Sequence, residues 1–446
     1  DDAVSWYAVD KITGALTYGG MFKEGVNISG VLHGANGLFV SSDGNHVYVT
    51  SLWDKAISWY ERNTSTGSLT YIGMLKEGEG GVDGLTNVRS ITLSPDGYHA
   101  YVAASFDNAV SWYARNASTG ALTYGGVLRD GENGVDGFGA WSVTLSSDGS
   151  HAYVTGYEGT VSWCTRNSST GELTYAGMLK DAEGGVDGLL GACNITVSSD
   201  GNYAYVAGKN DNALSWYARN TSTGALAYEG VLKDGEGGLA DGLNQPQDIT
   251  LSSVGNHAYV VATGDDSVSW YDRNASTGIL TYSGMLRDEA EGPEYLDGVT
   301  SISVSPNGNY AYTASYVDDT VSWFERNASN GSLALKGFLR DGVDGIDGLQ
   351  YANAVIVSAD GSHAYVAGLA DDAVSWFEID ASNGALTYGG MLEDGVNGVD
   401  GLDGPNNLTL SPDGSHVYVV SRYDDALSWF ERNASTGALT YGGVLK

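Results

Sequence analysis

The chain has 446 residues, 42% of them apolar, with 55 Asp and Glu against 21 Lys and Arg for a net charge of −34. Core material is therefore ample, while a surface this acidic repels phosphate backbones and argues against nucleic acid as a partner. No apolar run approaches the roughly 18–20 residues of a membrane span, no signal peptide is recognisable, and two cysteines exclude a disulfide framework.

The chain opens inside a repeat, on Asp1-Asp2-Ala3-Val4-Ser5-Trp6, as expected of a processed chain or a window on a longer one. Ser-Trp then recurs with its Trp at 6, 59, 112, 163, 216, 270, 323, 376 and 429, a period of 51 to 54 residues. One unit runs from Gly84 to Asp136. Ser90-Ile91-Thr92-Leu93-Ser94 alternates as a first strand, Pro95-Asp96-Gly97 turns the chain, and His99-Ala100-Tyr101-Val102-Ala103 is the second. A loop with Asp107-Asn108 leads to Ala109-Val110-Ser111-Trp112-Tyr113, and Asn116-Ala117-Ser118-Thr119-Gly120 turns into Ala121-Leu122-Thr123-Tyr124. Four short strands with Gly, Pro and Asx turns, and no helical period, predict a propeller blade. The recurring Trp reads as a wedge between blades.

The first-and-second-strand unit occurs eight times and the third-and-fourth-strand unit nine times. The expected fold is all-β: a β-propeller of about eight four-stranded blades over residues 30–446, with residues 1–29 a surplus N-terminal half-blade. A strand pair with an open edge is a template for another chain. Cys164 and Cys193 fall in successive repeats, which leaves open one inter-blade disulfide or two buried thiols.

Ser-Pro-Asp-Gly-x-His-x-Tyr-Val at 94–102 and 411–419, with His46-Val47-Tyr48-Val49-Thr50-Ser51 and His151-Ala152-Tyr153-Val154-Thr155-Gly156, resembles the lactonase-like propellers and the YVTN-type repeats of surface-layer proteins. The resemblance covers the whole chain. It implies the propeller fold and, for the lactonase branch, a Pro-Arg-His stretch entering an inner strand, with further charged residues converging on the central channel. The matching stretches here read Pro246-Gln247-Asp248, Pro405-Asn406-Asn407 and Val88-Arg89-Ser90, so Arg89 alone fits and no His follows it.

Six histidines, His46, His99, His151, His257, His363 and His416, hold one repeat position that Tyr203 and Tyr310 fill in the other two copies. Like groups spread around a ring read as structural, because catalysis needs unlike groups at one place. His33 lies outside the pattern. Asn-x-Ser/Thr acceptors stand at Asn27, Asn63, Asn116, Asn167, Asn194, Asn220, Asn274, Asn327, Asn330, Asn407 and Asn433, seven of them in the same hairpin between third and fourth strands. The pairing of Asn with Ser or Thr two residues on points to N-linked glycans on a secretory route, although Asn also suits an Asx turn. Inter-blade loops such as Asp130 to Gly137 and Asp341 to Gly348 set carboxylates among glycines, a donor set for Ca²⁺. They should share one acidic face with Asp265-Asp266, Asp318-Asp319, Asp371-Asp372 and Asp424-Asp425, opposite the sequon hairpins.

Near-identical blades, the missing Pro-Arg-His and the cyclic histidines together predict no catalytic residue and no cofactor beyond such calcium. The expected function is a non-enzymatic extracellular or cell-surface structural or adhesive glycoprotein, with itself as partner, assembling end to end through the half-blade. The alternative is a lactonase-like hydrolase or a glycan-binding propeller with a site at the channel mouth, for which the most divergent junction, Asp288 to Gly298 with Pro293, Glu294 and Tyr295, is the expected location.

Overall fold

Each repeat folds into strands because apolar residues alternate over short runs that Asx-Gly and Pro-Asp-Gly turns interrupt. In the computed structural model the backbone is described for residues 3–9, 16–23, 32–235, 242–252, 254–288, 295–424 and 426–445, and side chains from residue 32 onward except residue 36. Eight antiparallel four-stranded sheets, each built from four consecutive strands, form the blades of a ring. Blade 1 runs through Ala35–Val40, His46–Ser51, Ala56–Arg62 and Leu69–Lys76, from the channel outward. The inner strands of blades 2 to 8 are Val88–Leu93, Ala140–Leu145, Ala192–Val197, Pro246–Leu251, Val299–Val304, Ala352–Val357 and Pro405–Leu410.

The blades stick together through their third-strand tryptophans. Trp112 of blade 2 is buried in one cluster with Phe138, Val143 and Val154 of blade 3, and Trp429 of blade 8 with Leu32, Ala35 and Val47 of blade 1. A polar latch repeats beside each wedge. Arg166 in blade 3 donates from Nε to Tyr101 Oη of blade 2 (2.5 Å), from Nη1 to Gly149 O (3.0 Å), and from Nη2 to Asp96 (2.9 Å) and His99 Nδ1 (2.8 Å). Tyr101 in turn donates to Gly171 O. The guanidinium is buried, and every donor with an acceptor of matching geometry offsets the desolvation of its charge. Accepting from Arg fixes the imidazole as the Nε2–H tautomer. The structural reading of the histidines holds, and their partner is the next blade's arginine.

Arg62, Arg115, Arg219, Arg273, Arg326 and Arg432 each reach the tyrosine of the preceding blade in the same way, although Arg273 meets Tyr203 in place of the histidine and Val254 stands in place of the aspartate for Arg326. The junction between blades 6 and 7 departs from it in three places at once, with Ile379 for the arginine, Tyr310 for the histidine and Asn307 for the aspartate.

Among residues 1–29, the described strands stand apart from the eight blade sheets. Ala3–Val9 and Leu16–Lys23 pair as a separate two-stranded sheet. Ala3–Val9 lies beside Leu439–Leu445, the outer strand of blade 8. Along that strand Tyr441, Val444 and Leu445 are buried, whereas corresponding outer-strand positions such as Tyr388, Met391 and Leu392 of blade 7 are half-buried. Both cysteines are free thiols, which settles the disulfide question.

Candidate active site

The start of each inner strand and the turn between second and third strands lie at one end of the channel, and the strand alternation turns the second inner-strand residue into its mouth. Fourth positions are uniformly aliphatic: Leu38, Ile91, Val143, Ile195, Ile249, Ile302, Val355 and Leu408. Second positions are almost all different: Arg89, Trp141, Cys193, Gln247, Thr300, Asn353 and Asn406 in blades 2 to 8. Here the blades stop being copies of one another.

A cavity of about 530 Å³ opens at this mouth, with Arg89, Trp141, Tyr157, Asn194, Lys209 and Gln247 among its walls. Arg89 is fixed in place. Its guanidinium carbon stands 4.4 Å from the Trp141 ring centroid, and Nε donates to Ser105 Oγ at 3.3 Å. Ser105 is held by Asn87 Nδ2 at 2.7 Å, and Trp141 is backed by the Tyr157 ring at 4.8 Å. Burial, and then the positive charge of Arg422 in blade 8, push the Arg89 pKa below its ordinary value. A bound anion would relieve both penalties. On a chain of net charge −34, Arg89, Arg422 and Lys209 gather positive charge at the mouth.

Asp248 is the one carboxylate among the third positions, which otherwise read Gly37, Ser90, Ser142, Asn194, Ser301, Ala354 and Asn407. Asn194 Nδ2 donates to its carboxylate at 3.0 Å. Burial raises its pKa above the usual carboxylate range, against the lowering effect of the Ile249 and Ile302 N–H groups and Asn194. Gln247 beside it is held to Thr263 Oγ1 at 2.9 Å. Cys193 faces the Ala207, Pro246 and Gln247 carbonyls, and burial pushes its pKa up to about 11, so it stays a thiol and not a nucleophile.

The sequence-predicted residues distribute unevenly about this site. The six latch histidines lie at the far end of the blades, at the start of the second strands. The hairpin asparagines share that end and act as Asx turns. Asn63 Oδ1, for example, accepts from Ser65 N at 2.9 Å and Thr66 N at 3.1 Å, and Asn116, Asn167, Asn220, Asn274 and Asn433 do the same. Asn327 Oδ1 accepts from Ser329 N, and Asn330 Oδ1 from Ser332 N. Asn194 and Asn407 stand on inner strands instead, and Asn27 lies outside the described residues, as do Pro293 and Glu294 of the divergent junction. Tyr295 of that junction is buried against Phe338.

The acidic loops do converge. Asp181, Asp187 and Asp211, then Asp341, Asp347 and Asp371, then Asp394, Asp400 and Asp424, each bring carboxylate oxygens within 4.8 Å of one another, joining an inter-blade loop to the following blade's turn. Burial and then the charge of Asp341 raise the Asp371 pKa to about 6, and burial with Asp288 raises that of Asp318 to about 7.

The chain matches the family described as lactonase, 7-bladed beta-propeller, over residues 1–135, 133–294 and 297–443. It is 26% identical over 184 residues to a 6-phosphogluconolactonase of Bacillus subtilis, covering 41% of this chain and 50% of that protein. It is 27% identical over 263 residues to an uncharacterized protein of Staphylococcus epidermidis, covering 56% and 70%. Among solved structures, the periplasmic gluconolactonase of Pseudomonas aeruginosa aligns with a TM-score of 0.55 at 17% identity, covering 86% of this chain and 90% of that one. Yeast Sqt1 aligns at 0.66 with 10% identity, covering 89% and 94%. At such identities these likenesses speak for the fold alone.

These findings correct two expectations. The chain was expected to be a non-enzymatic structural or adhesive glycoprotein assembling through its half-blade, and to lack catalytic residues. The family match and the 6-phosphogluconolactonase relative point instead to a lactonase-type enzyme. The inference from near-identical blades fails because identity is confined to the wedge, the latch and the turns, while the channel mouth carries a different side chain in almost every blade. Eight blades and a hairpin stand here where the family description has seven blades, yet the match runs through the whole ring, and the chain belongs to the lactonase β-propeller family.

Proposed function

We propose that the chain is a lactonase-type hydrolase whose site is the channel mouth around Arg89. The observation that carries this reading is the guanidinium clamped on Trp141 at the rim of the 530 Å³ cavity. Lactone hydrolysis adds water to the ester carbonyl, passes through a tetrahedral oxyanion, and breaks the ring C–O bond to give a hydroxy acid. A fixed, desolvated guanidinium stabilises charge developing on the carbonyl oxygen without reorganising during the reaction. Asp248, its basicity raised by burial and its carboxylate held by Asn194, is suited to take the proton of the attacking water and return it to the leaving alkoxide. Lys209 and Arg422 suit a substrate with a further negative charge, such as the phosphorylated lactone in the name of the Bacillus subtilis relative.

The test is lactone consumption followed in a pH-stat with D-glucono-1,5-lactone and its 6-phosphate, each corrected for spontaneous opening. Turnover above buffer is expected, falling about 10²- to 10³-fold in Arg89→Ala, with Arg89→Lys intermediate and Asp248→Asn impaired in kcat. A wild-type rate no faster than buffer with both lactones overturns the reading.

A further inference from the structure

Just before the acidic residue of each second-to-third-strand turn, the eight blades carry Trp53, Phe106, Tyr157, Asn210, Gly264, Val317, Ala370 and Tyr423. The aromatic members belong to blades 8, 1, 2 and 3, which are consecutive around the ring, so they form one arc along half of the channel mouth. They are exposed by 60% (Tyr423), 51% (Trp53), 75% (Phe106) and 36% (Tyr157). Burying large rings is favourable, so four left open on consecutive blades mark a contact surface rather than chance exposure.

Two of the rings lie against glycine backbone, as Asn210 and Val317 lie against Gly191 and Gly298 in blades 4 and 6. A Cβ on Gly34 would stand 2.9 Å from the Trp53 ring, and one on Gly404 would stand 2.4 Å from the Tyr423 ring. Both glycines have positive φ, +73° and +65°. Each ring therefore rests one side on a glycine and leaves the other to solvent. His33 packs against Trp53 at 4.6 Å and steadies it further. The arc joins the candidate active site through Tyr157, which is also a wall of the cavity and contacts Trp141. Arg422 precedes Tyr423, and its charge reaches Arg89.

We infer that this arc is a stacking platform for a saccharide chain bearing carboxylates or other anionic groups, whose terminal unit enters the cavity at Arg89. The inference rests on the hydrolase reading for what happens at that terminal unit, not for the binding itself. Flat aromatic faces take the apolar faces of successive sugar rings. Asn, Gln and Thr side chains at the second inner-strand positions offer donors and acceptors to hydroxyls. Arg89, Arg422 and Lys209 select anionic over neutral chains within an otherwise acidic surface.

The experiment is calorimetric titration of the full chain with galacturonate, tetragalacturonate and maltotetraose, alongside turnover of glucono-1,5-lactone. Tetragalacturonate is expected to bind at least tenfold more tightly than galacturonate and maltotetraose. Trp53→Ala and Tyr423→Ala should each weaken it about tenfold while leaving thermal stability and small-lactone turnover unchanged. Equal affinity for monomer and tetramer, equal affinity for the neutral chain, or indifference to both substitutions overturns the platform. A change in sedimentation of the protein alone on Trp53→Ala assigns the arc to self-association and also overturns it. Absent lactone turnover with tetragalacturonate binding that both substitutions weaken removes the hydrolase reading and supports the platform.

Discussion

The guanidinium of Arg62 in blade 1 meets the imidazole Nδ1 of His416 in blade 8 at 2.7 Å, across 354 residues of chain. Arg62 also donates to Tyr418 Oη at 2.6 Å and pairs with Asp413 at 3.2 Å. The ring thus closes by the latch that joins all but one of its other blade pairs, blades 1 and 8 each being built from four consecutive strands. Arg62→Ala should cost about 3–5 kcal/mol, because it leaves a buried polar set without its cation. Lysine cannot present the same fork of donors and should not rescue. The junction between blades 6 and 7 supplies a control: Arg62→Ile with His416→Tyr and Asp413→Asn copies Ile379, Tyr310 and Asn307, and should recover much of the loss in thermal unfolding.

The latch also predicts acid sensitivity. Burial, then the adjacent Arg62, lower the His416 pKa to about 4, and the same two causes lower those of His46, His99, His151, His257 and His363. Below about pH 6.5 the unfolded chain takes up protons that the folded chain refuses, so stability present at pH 7 is lost as pH falls towards 4. For His416 this is about 2–3 kcal/mol. Tyr203 shows that tyrosine fits the position: it packs on Gly278 as His416 packs on Gly67, while Arg273 keeps its bonds to Tyr205 and Asp200. His416→Tyr should therefore flatten the fall in melting temperature between pH 6.5 and 4. An unchanged slope would remove the histidine from the account.

The blades were legible in the sequence because wedge and turns recur in phase: Trp every 53 residues or so, and a turn glycine before each second strand, preceded by Asp in six of the eight blades. The latch was half legible. An arginine stands directly before the hairpin Asn in seven blades, and Ile379 before Asp380 in the eighth, but an arginine beside an exposed turn reads as a surface residue until the preceding blade folds over it. The site was the least legible. Arg89, Trp141 and Gln247 sit two residues before the uniformly aliphatic fourth positions in strands that otherwise align, so their variety resembles drift until the ring brings these positions to one opening.

The N-terminal hairpin supplies a third prediction. Tyr441, Val444 and Leu445 are buried beside Ala3–Val9. Deleting residues 1–29 uncovers them and should lower stability by on the order of 3 kcal/mol at ~25 cal/mol per Å². Thermal unfolding of the full and truncated chains checks this. Equal midpoints would mean that the hairpin does not cover blade 8.

The carboxylate triads give the fourth. Asp341, Asp347 and Asp371 crowd within 4.8 Å, and burial, followed by the charge of Asp341, raises the Asp371 pKa to about 6. A raised carboxylate contributes stability that is whole below about pH 4 and lost as pH climbs through 6, the reverse of the histidines. Asp371→Asn keeps an oxygen to accept from the Gln350 N–H, now at 2.7 Å, while removing the charge. In chelator at pH 8 it should stabilise the protein by about 1 kcal/mol, solvent screening having discounted the rest, and at pH 4 the difference should vanish. Calcium, expected at these loops from their oxygen donors, is checked in the same series. Binding to the folded chain raises the wild-type midpoint by mass action, and a variant short of one carboxylate gains less. An equal response of both proteins to millimolar calcium at fixed ionic strength sets the cation aside and leaves the triads as plain charge repulsion, tolerated because two of the three aspartates also hold a loop: Asp341 accepts from Leu349 N–H at 3.0 Å, and Asp371 from Gln350 N–H at 2.7 Å.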